Sequence, residues 1–418
     1  MGERNWSGSY TYGARVVHPR SVEELQTLVA TQDRIRALGT RHSFTDVADS
    51  DGVLASLESL PPEVMVDERR RSASVSGGTT FHTLAQELHR QGWALATMAS
   101  LPHISVAGAV ATGTHGSGRT VGSLASLVSA LELVGADGEV RRVARGHPDF
   151  DGSVVNLGAL GVVTKVAFDV VPSFDMWQEV WLEMPWDDVT ADLDGLLSCG
   201  YSVSLFTGWT GTTVSQVWVK GLADVRPPDL HPARKASSTV HMIPGMPSSA
   251  VTTQLGVVGP WHERLPHFRP SFTPSSGAEL QSEYLLPVAQ APQAIEGLRA
   301  LADTFAPLLQ VSEIRTVAAD SLWLSGAFDT DVVALHFTWQ PTWHGVYAVL
   351  PEIERLLLPL GARPHWGKCF TATRQQLSAA YPRLDDFRDL RDRTDPTRKF
   401  DNAFLGRVLD GLNPAGQA

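Results

Sequence analysis

The sequence predicts an α+β fold in two domains. Over roughly the first 90 residues, segments with helical periodicity alternate with short strand-like segments. From Pro172-Ser173 onward the pattern changes. Tryptophans appear at positions 177, 181, 186, 209 and 218, and apolar and polar residues alternate as they do in an antiparallel sheet. We therefore place a domain boundary after residue 172.

The first domain is predicted to begin with a helix. Ser21 is its cap, Glu24 follows three positions later, and apolar residues at 22, 25, 28 and 29 share one face. Asp137-Gly138 is a turn signal between two β-like runs, which predicts a hairpin. The other predicted elements are strands at 35–38, 53–57, 64–67, 72–76, 130–134 and 140–143, a helix from about 79 to 89, and a strand after the glycines of 158–161.

The second domain is predicted to be built on an antiparallel sheet. Alternating residues predict strands at 178–183, 202–207 and 216–220, followed by a surface loop rich in proline and serine at 226–249. Three further strand-like segments lie in the C-terminal third, at 311–317, 334–339 and 363–370. In the last of these, Gly367 permits a bulge that would re-aim Lys368.

The overall composition excludes several classes of function. The 418 residues carry a net charge of −11, which disfavours binding to nucleic acid or to an anionic membrane surface and fits a neutral or cationic substrate better. Two cysteines provide neither a disulfide framework nor a thiolate metal cluster, and the histidines of segment 259–268 lack a metal-binding pattern, so we interpret that segment as structural. No run of 18 uncharged apolar residues and no apolar signal core occur. We expect a cytoplasmic protein without a metal site.

Two glycine-rich stretches are candidates for ligand-binding loops. In residues 36–44, a β-like run ends at Gly39 and is followed by small or polar residues. In residues 98–118, glycines recur at 108, 113, 116 and 118 among alanine, serine and threonine. With so little side-chain bulk, backbone amides can reach a pyrophosphate directly. Glycine clusters also mark turns and close packing, and neither stretch matches G-x-G-x-x-G or a Walker loop, so both explanations stay open on the residues alone.

Polar side chains in the C-terminal third are predicted to share strand faces. Residues two apart in a strand point the same way, so Glu313 and Arg315 share a face, as do His336 and Thr338 on the next segment. Such faces can be exposed, in which case Glu313 and Arg315 form a weakly stabilising surface ion pair. Two of them can equally line a polar pocket. The presence of Lys368 alone does not distinguish an exposed face from a polar pocket.

The segment Gly39-Thr40-Arg41-His42-Ser43-Phe44, together with the run from Met98 to Gly118, resembles the FAD-binding domain of the PCMH-type (vanillyl-alcohol-oxidase) flavoproteins, and within them the alditol (xylitol) oxidases. Matching segments run from about Asn5 to Phe404. The resemblance implies an FAD-binding domain over 1–172, a substrate-binding cap domain over 173–375 and a segment, 376–418, that returns to the FAD domain.

FAD is the cofactor that this resemblance implies, attached covalently through His42. The implied cofactor-binding residues are Ala37, Leu38, Gly39, Thr40, Arg41, His42, Ser43, Ser100, Ser105, Gly108, Ala109, Val110, Ala111, Thr112, Gly113, His115, Gly161, Val162 and His365.

The resemblance also implies substrate contacts at Ser100, Glu313, Arg315, Thr338 and Lys368, with Glu313, Arg315 and Lys368 catalytic and His336 beside them. Oxidation of a primary alcohol develops negative charge on the hydroxyl oxygen, which a cation stabilises, and each further buried hydroxyl needs a partner.

The implied function is FAD-dependent oxidation of the terminal primary alcohol of alditols (xylitol, sorbitol and more weakly glycerol) to aldoses, with O2 reduced to H2O2, by a monomer. The alternatives are a sugar-lactone oxidoreductase of the same superfamily and a flavin-binding protein without turnover.

Overall fold

The computed structural model describes residues 3–271 and 279–412, and its N-terminal part contains the predicted alternation of helices and strands. The Ser21 side chain caps the first helix by accepting a hydrogen bond from the backbone N–H of Glu24. The predicted hairpin is also present, with Gly138 at a positive φ in its turn. The elements up to residue 172 are β1 (Arg15–Val17), α1 (Val22–Thr31), β2 (Ile35–Leu38), β3 (Val53–Ser56), β4 (Val64–Asp67), β5 (Ser72–Ser76), α2 (Phe81–Arg90), β6 (Trp93–Ala94), α3 (Val106–Ala111), β7 (Val128–Val134), β8 (Val140–Ala144), α4 (Phe150–Val154), β9 (Val162–Asp169) and β10 (Val171–Pro172).

Two sheets form most of this part. Strands β1, β3 and β2 make a parallel sheet in that order, and β4, β5, β9, β7 and β8 make an antiparallel one, while β6 pairs with β10. Leu25 and Val29 of α1 pack with Ile35 of β2 and Val162 of β9, which joins the two sheets through one apolar cluster. The second glycine-rich stretch is not a loop throughout, because its alanine-rich middle forms α3.

In the described residues after 172, the main feature is a nine-stranded antiparallel sheet, in the order β14-β11-β13-β12-β17-β18-β16-β19 with β15 paired to β11. This confirms the antiparallel sheet predicted for the second domain. Its strands and the helices that follow residue 172 are β11 (Asp175–Pro185), α5 (Trp186–Ala191), α6 (Leu193–Ser198), β12 (Ser202–Thr207), β13 (Thr213–Leu222), β14 (Arg234–Lys235), β15 (Gly259–Pro260), β16 (Leu280–Pro287), α7 (Ala291–Phe305), β17 (Leu309–Val317), β18 (Val332–Trp339), α8 (Trp343–Leu357), β19 (Arg363–Pro364), α9 (Arg374–Ala380), α10 (Leu384–Thr394) and α11 (Ala403–Asp410).

At β17 and β18, the large sheet has an apolar face and a face that carries polar side chains. Ile314, Leu335 and Phe337 belong to an apolar cluster that includes residues of α7 and α8, and Phe305 of α7 stacks edge-on against Phe337 with ring centroids 5.8 Å apart. The alternate residues of β17 and β18 point to the opposite side. Within the sheet, Glu313 lies directly across from His336.

Two segments differ from their predicted structure. Only Arg363–Pro364 of the segment 363–370 is a strand, and a turn follows it in which the N–H of Lys368 donates to the carbonyl of His365. The turn, and not a bulge, therefore aims Lys368. The segment 226–249 is not entirely a surface loop, because β14 pairs with β11 and Met242 is buried in an apolar cluster.

The C-terminal helices contact the N-terminal part. Lys399 Nζ donates to the carbonyl of Val29 at 2.6 Å, and Arg407 pairs with Asp46. The buried guanidinium of Arg36 on β2 donates to the carbonyls of three distant segments, those of Val47, Leu157 and Phe400. The division at residues 172 and 375 itself stays a prediction. Among the described residues, we find no helix with the length and apolar character needed to cross a membrane.

Candidate active site

One cavity runs from the two glycine-rich stretches to the polar face of the large sheet. Together with the solvent at its mouth, the cavity encloses about 2290 Å³ of space not occupied by protein atoms. Residues from both stretches form one end, and residues from β16, β17, β18 and the turn after β19 form the other. The cavity thus brings together segments separated by more than 200 positions in the sequence, including Ser100 and Arg315, whose side chains are hydrogen-bonded at 3.1 Å.

All but three of the cofactor positions implied by the sequence lie in the cavity wall. Val110, Gly113 and Val162 do not. The side chains of Val110 and Val162 lie in apolar clusters behind the wall, and the N–H of Gly113 donates to the carbonyl of Val110 at the end of α3. The helical period of α3 turns Val110 away from the cavity, and the strand period of β9 turns Val162 away from it.

The two glycine-rich stretches are in direct contact. Thr40 Oγ1 accepts a hydrogen bond from the N–H of Ser105 at 3.0 Å. A Cβ atom at Gly39 would stand 2.5 Å from Ser105 Oγ, closer than any normal contact. Arg41, the residue after Thr40, has φ 62°, a left-handed conformation that is strained for a residue with a side chain.

The adjoining wall is formed by backbone with no room for side chains. A Cβ at Gly77 would lie 2.3 Å from the carbonyl oxygen of Val163, and one at Gly78 would lie 2.3 Å from that of Leu57. These glycines let neighbouring segments of the chain pack closely, and the resulting wall has little side-chain bulk. A long, flat ligand such as FAD fits a wall of this kind.

His42 projects into the same cavity. Its ring stacks on Trp6 with centroids 5.6 Å apart, and its Nδ1 lies 3.1 Å from Thr40 Oγ1. Burial, and secondarily the neighbouring His103, lowers the pKa of His42 to about 4. The imidazole is therefore neutral at physiological pH, the state in which a ring nitrogen is nucleophilic.

Glu283 lies at the centre of the other end of the cavity, although the sequence had not singled it out. Its side chain is 1% exposed. Arg315 Nη2 donates to Oε1 at 2.8 Å and Lys368 Nζ donates to Oε2 at 2.6 Å. His115 Nε2 lies 3.5 Å from Oε1. Burial opposes ionisation, but Lys368, Arg315 and His115 together hold the pKa of this carboxyl well below its usual range.

Glu313 and Arg315 are buried, so the alternative of an exposed surface pair is wrong. Arg315 Nη1 lies 3.6 Å from Glu313 Oε2, and its Nε has no hydrogen-bond partner among the described residues. Glu313 Oε1 accepts from His267 Nε2 at 2.8 Å. His267, in the segment 259–268 that the sequence leads us to interpret as structural, therefore lines the cavity and contacts Glu313.

Lys368, His336 and Thr338 form a chain of hydrogen bonds. Lys368 Nζ lies 2.8 Å from His336 Nδ1, and His336 Nε2 lies 3.1 Å from Thr338 Oγ1. When the ammonium donates to Nδ1, Nε2 carries the ring proton and donates to Thr338, whose own hydroxyl proton is then free to point into the cavity. Burial lowers the pKa of Lys368; Glu283 opposes this shift and Arg315 adds to it.

Sequence signals for the missed residues differ. Gln281 and Glu283 alternate with the buried Leu280 and Tyr284, so the period of β16 would have placed both polar residues on one face. No such pattern surrounds His267, which lies in irregular backbone after Leu265-Pro266 and reaches Glu313 only through the packing of that loop onto β12 and β13.

Known proteins resemble this chain over nearly its whole length. A family model described as an FAD binding domain matches residues 13–144, and one described as D-arabinono-1,4-lactone oxidase matches residues 278–408. An alditol oxidase from Streptomyces sp. (strain IKD472 / FERM P-14339) is 50% identical over 411 residues, covering 97% of this chain and 99% of the relative. An L-gulono-1,4-lactone dehydrogenase from Mycobacterium tuberculosis is 27% identical over 435 residues, covering 97% and 98%.

A solved structure, cholesterol oxidase from B. sterolicum, superposes with a TM-score of 0.81 over 97% of this chain and 96% of that chain, at 17% identity. At this identity the likeness concerns the fold alone, and it confirms the predicted α+β fold. Together with the FAD-binding family model over residues 13–144, it confirms the predicted PCMH-type FAD-binding domain. The family follows from the 50% identity over nearly the whole length of the Streptomyces relative. The chain belongs to the alditol oxidase family of PCMH-type flavoproteins and is an FAD-dependent oxidoreductase.

Proposed function

We propose that this enzyme oxidises the terminal primary alcohol of alditols to the aldose, with xylitol and sorbitol preferred over glycerol, while O2 is reduced to H2O2. The observation that carries the proposal is the buried cluster in which Arg315 and Lys368 share Glu283 beside Glu313. A permanent cation, Arg315, is available where negative charge develops, Lys368 lies beside it as a candidate base, and further polar groups surround them. The name of the Streptomyces relative supports the same substrate class.

Arg315 is proposed to stabilise the reacting oxygen. Its guanidinium lines the cavity and is fixed by Glu283 and Ser100, so its positive charge is held in place where a substrate oxygen would bind. FAD, when bound, would accept the hydride from the alcohol carbon. Arginine keeps its charge throughout, so it serves as the permanent electrostatic element of the site.

Lys368 is proposed to take the hydroxyl proton. A base must be neutral before it can accept a proton, and the pKa of Lys368 is lowered by burial and by the neighbouring Arg315. The amine lies within hydrogen-bond distance of Glu283 and His336, so the accepted proton has partners at once. Loss of one proton and one hydride from R–CH2OH gives R–CHO, and transfer of both to O2 gives H2O2, which balances the reaction.

The other hydroxyls of the substrate are proposed to bind Glu313, Ser100 and Thr338. A carboxylate only accepts hydrogen bonds, whereas the two hydroxyls can also donate them. Each correctly placed substrate hydroxyl contributes roughly 0.5–1.5 kcal/mol of net binding, so successive hydroxyls multiply the preference for longer polyols.

FAD is proposed to be attached covalently through His42, whose neutral ring faces the cavity. The cofactor positions in the wall are proposed to hold the rest of the molecule, with residues 1–172 as the FAD-binding domain, 173–375 as the substrate cap and 376–418 returning to the former. We also propose a monomeric, cytoplasmic enzyme, which fits the two unpaired cysteines, Cys199 and Cys369.

Oxidation of a sugar lactone is the second candidate function. The lactone-oxidase family model over residues 278–408 and the mycobacterial relative favour it. A lactone has fewer free hydroxyls than an open-chain polyol of the same length, so it would leave more of the polar groups near Glu313 unpaired.

Anaerobic addition of xylitol to the purified yellow protein tests the proposal. We expect the flavin colour to bleach, and kcat/KM to rise from glycerol to xylitol and sorbitol by at least about tenfold. Bleaching by lactones but by no polyol would favour the second candidate, and persistence of the colour with all of them would mean a binding protein without turnover.

Two variants test the assigned roles. Glu313→Gln should reduce the preference for longer polyols, because a neutral amide accepts hydrogen bonds more weakly than a carboxylate. Arg315→Ala should slow all substrates together by about 100-fold or more, because it removes a charge on which every transition state depends. Indistinguishable effects of the two variants across the polyol series would contradict these roles.

A further inference from the structure

A buried lysine and a buried histidine lie next to Glu313. They are not among the groups proposed to act on the reacting oxygen. Lys220, on β13, is 1% exposed. Its Nζ lies within hydrogen-bond distance of three acceptors, which are the carbonyls of Leu265 and Pro266 and the Nδ1 of His267. On its other side, the His267 ring places Nε2 2.8 Å from Glu313 Oε1. The three side chains form an unbroken chain of contacts.

The lysine fixes the tautomer of the histidine. An ammonium group has three protons and no acceptor, and Lys220 has three acceptors around it, so His267 Nδ1 must accept. Burial, with Lys220 as the next cause, lowers the pKa of His267 to about 4, so the ring is neutral and carries one proton. That proton is on Nε2, where it is donated to Glu313.

The ring cannot easily turn to another arrangement. It packs edge-on against Phe206 and Trp218, with ring centroids 5.6 and 5.3 Å away, and Ser204 Oγ lies 3.4 Å from Nε2. With the opposite tautomer, a lone pair of Nε2 would face the carboxylate oxygen at 2.8 Å and repel it.

We propose that Lys220 and His267 are positioning residues that fix Glu313 as an oriented, ionised acceptor for the hydroxyl groups of the substrate. His267 occupies Oε1, so Oε2, which lies 3.6 Å from Arg315 Nη1, is the oxygen left for the substrate. This inference rests on the proposed function, because it assigns to Glu313 the recognition of polyol hydroxyls.

Charges on the neighbouring elements agree with this assignment. Glu313 and Arg315 are the ionisable groups that act on Lys220, and Lys220, Glu313 and Arg315 are those that act on His267. Burial lowers the pKa of Lys220 to about 7, against the opposing effect of Glu313. Above that pH the lysine has only two protons for its three neighbours and no longer requires Nδ1 to accept. Glu313 should therefore be held most firmly below about pH 7.

Substitutions in the complete flavoenzyme test the inference. Lys220→Met and His267→Leu should each lower kcat/KM for xylitol about tenfold more than kcat/KM for glycerol. Glycerol has fewer hydroxyls that can bind Glu313, so it depends less on the orientation of this carboxylate. His267→Gln keeps an amide N–H near the position of Nε2, so its xylitol-to-glycerol ratio should stay within about threefold of the unaltered enzyme. Adding Lys220→Met to His267→Gln should then change the ratio little, because no tautomer is left to fix.

Lys399→Met is the matched control. Lys399 is also buried and donates to backbone carbonyls. Its ammonium group contacts the end of α1, away from the cavity. It should leave the ratio unchanged even if it lowers stability. The inference is overturned if Lys220→Met lowers both substrates equally, or if His267→Gln behaves as His267→Leu does.

Histidine labelled with 15N provides a measurement that needs no substrate. The His267 ring, assigned as the resonances lost in His267→Gln, should show a protonated Nε2 in the unaltered enzyme and a mixture of tautomers in Lys220→Met. An unchanged tautomer in Lys220→Met would refute the role of the lysine. Because this spectrum does not depend on polyol oxidation, a failure of the proposed function alone would leave it unaffected.

Discussion

Replacing Glu283 by glutamine should change both the stability of the protein and the pH at which it works. The substitution keeps the size of the side chain but removes the negative charge that Arg315 and Lys368 share at 2.8 and 2.6 Å. Removing one partner of a buried ion pair typically costs about 3–5 kcal/mol, because it leaves uncompensated charge. We expect a loss in the unfolding free energy near the lower end of that range, since Lys368 can relieve part of the cost by losing its proton.

The direction of the pH effect follows from the charges. The carboxylate favours the protonated form of Lys368, and its removal leaves burial and Arg315, which lower the lysine pKa, against the smaller opposing effect of Glu313. A charge-assisted hydrogen bond of about 1.5–3 kcal/mol corresponds to roughly 1–2 pKa units. If neutral Lys368 accepts the hydroxyl proton, the acid limb of the rate of anaerobic flavin reduction should move down by about the same 1–2 pH units.

Stopped-flow reduction by xylitol across the pH range is the assay. Glu354→Gln is the control, because Glu354 is a buried carboxylate bound by Tyr284 and Thr371, without a cationic partner among those bonds. An acid limb that stays in place or moves to higher pH in Glu283→Gln would refute the assignment of Lys368 as the base.

Three further predictions concern the cofactor and the base. His42→Ala should release its flavin on acid precipitation, whereas the unaltered protein should give a yellow pellet; a colourless pellet from the latter would contradict the covalent link. Lys368→Met should slow anaerobic reduction by about 100-fold or more while the flavin stays attached, and unchanged kinetics would remove the lysine from the reaction. Gly77→Ala should lower the unfolding free energy by about 1–3 kcal/mol and reduce flavin content, because its Cβ would lie 2.3 Å from the backbone oxygen of Val163. Normal stability and flavin content would show that the backbone shifts to accept the extra methyl group.

Strand faces could be predicted from the sequence because the period of a strand is a local property. Ile314 lies in the apolar cluster and its neighbours Glu313 and Arg315 lie on the cavity side, as their spacing predicts. The period does not say whether a polar face meets water or another part of the chain. That depends on packing between segments distant in sequence, here the approach of the glycine-rich stretches to the sheet.

Interactions across elements were the part that could not be predicted. Glu283 was missed because its significance comes from partners on two other segments, and His267 because it acts from irregular backbone. The conformation around Lys368 was predicted as a strand with a bulge, yet the strand ends at Pro364 and a turn follows. Short segments of mixed polarity fit both descriptions, and the tertiary hydrogen bonds decide between them.

The bonds of Arg36 make the cavity wall depend on a segment far along the chain. Its guanidinium lies in the cavity wall within the first glycine-rich stretch and is held by the carbonyl of Phe400, 364 positions along the chain. A variant cut before Phe400 would keep every glycine of the wall but lack this contact, so its flavin content would report on the distant segment and not on the glycines.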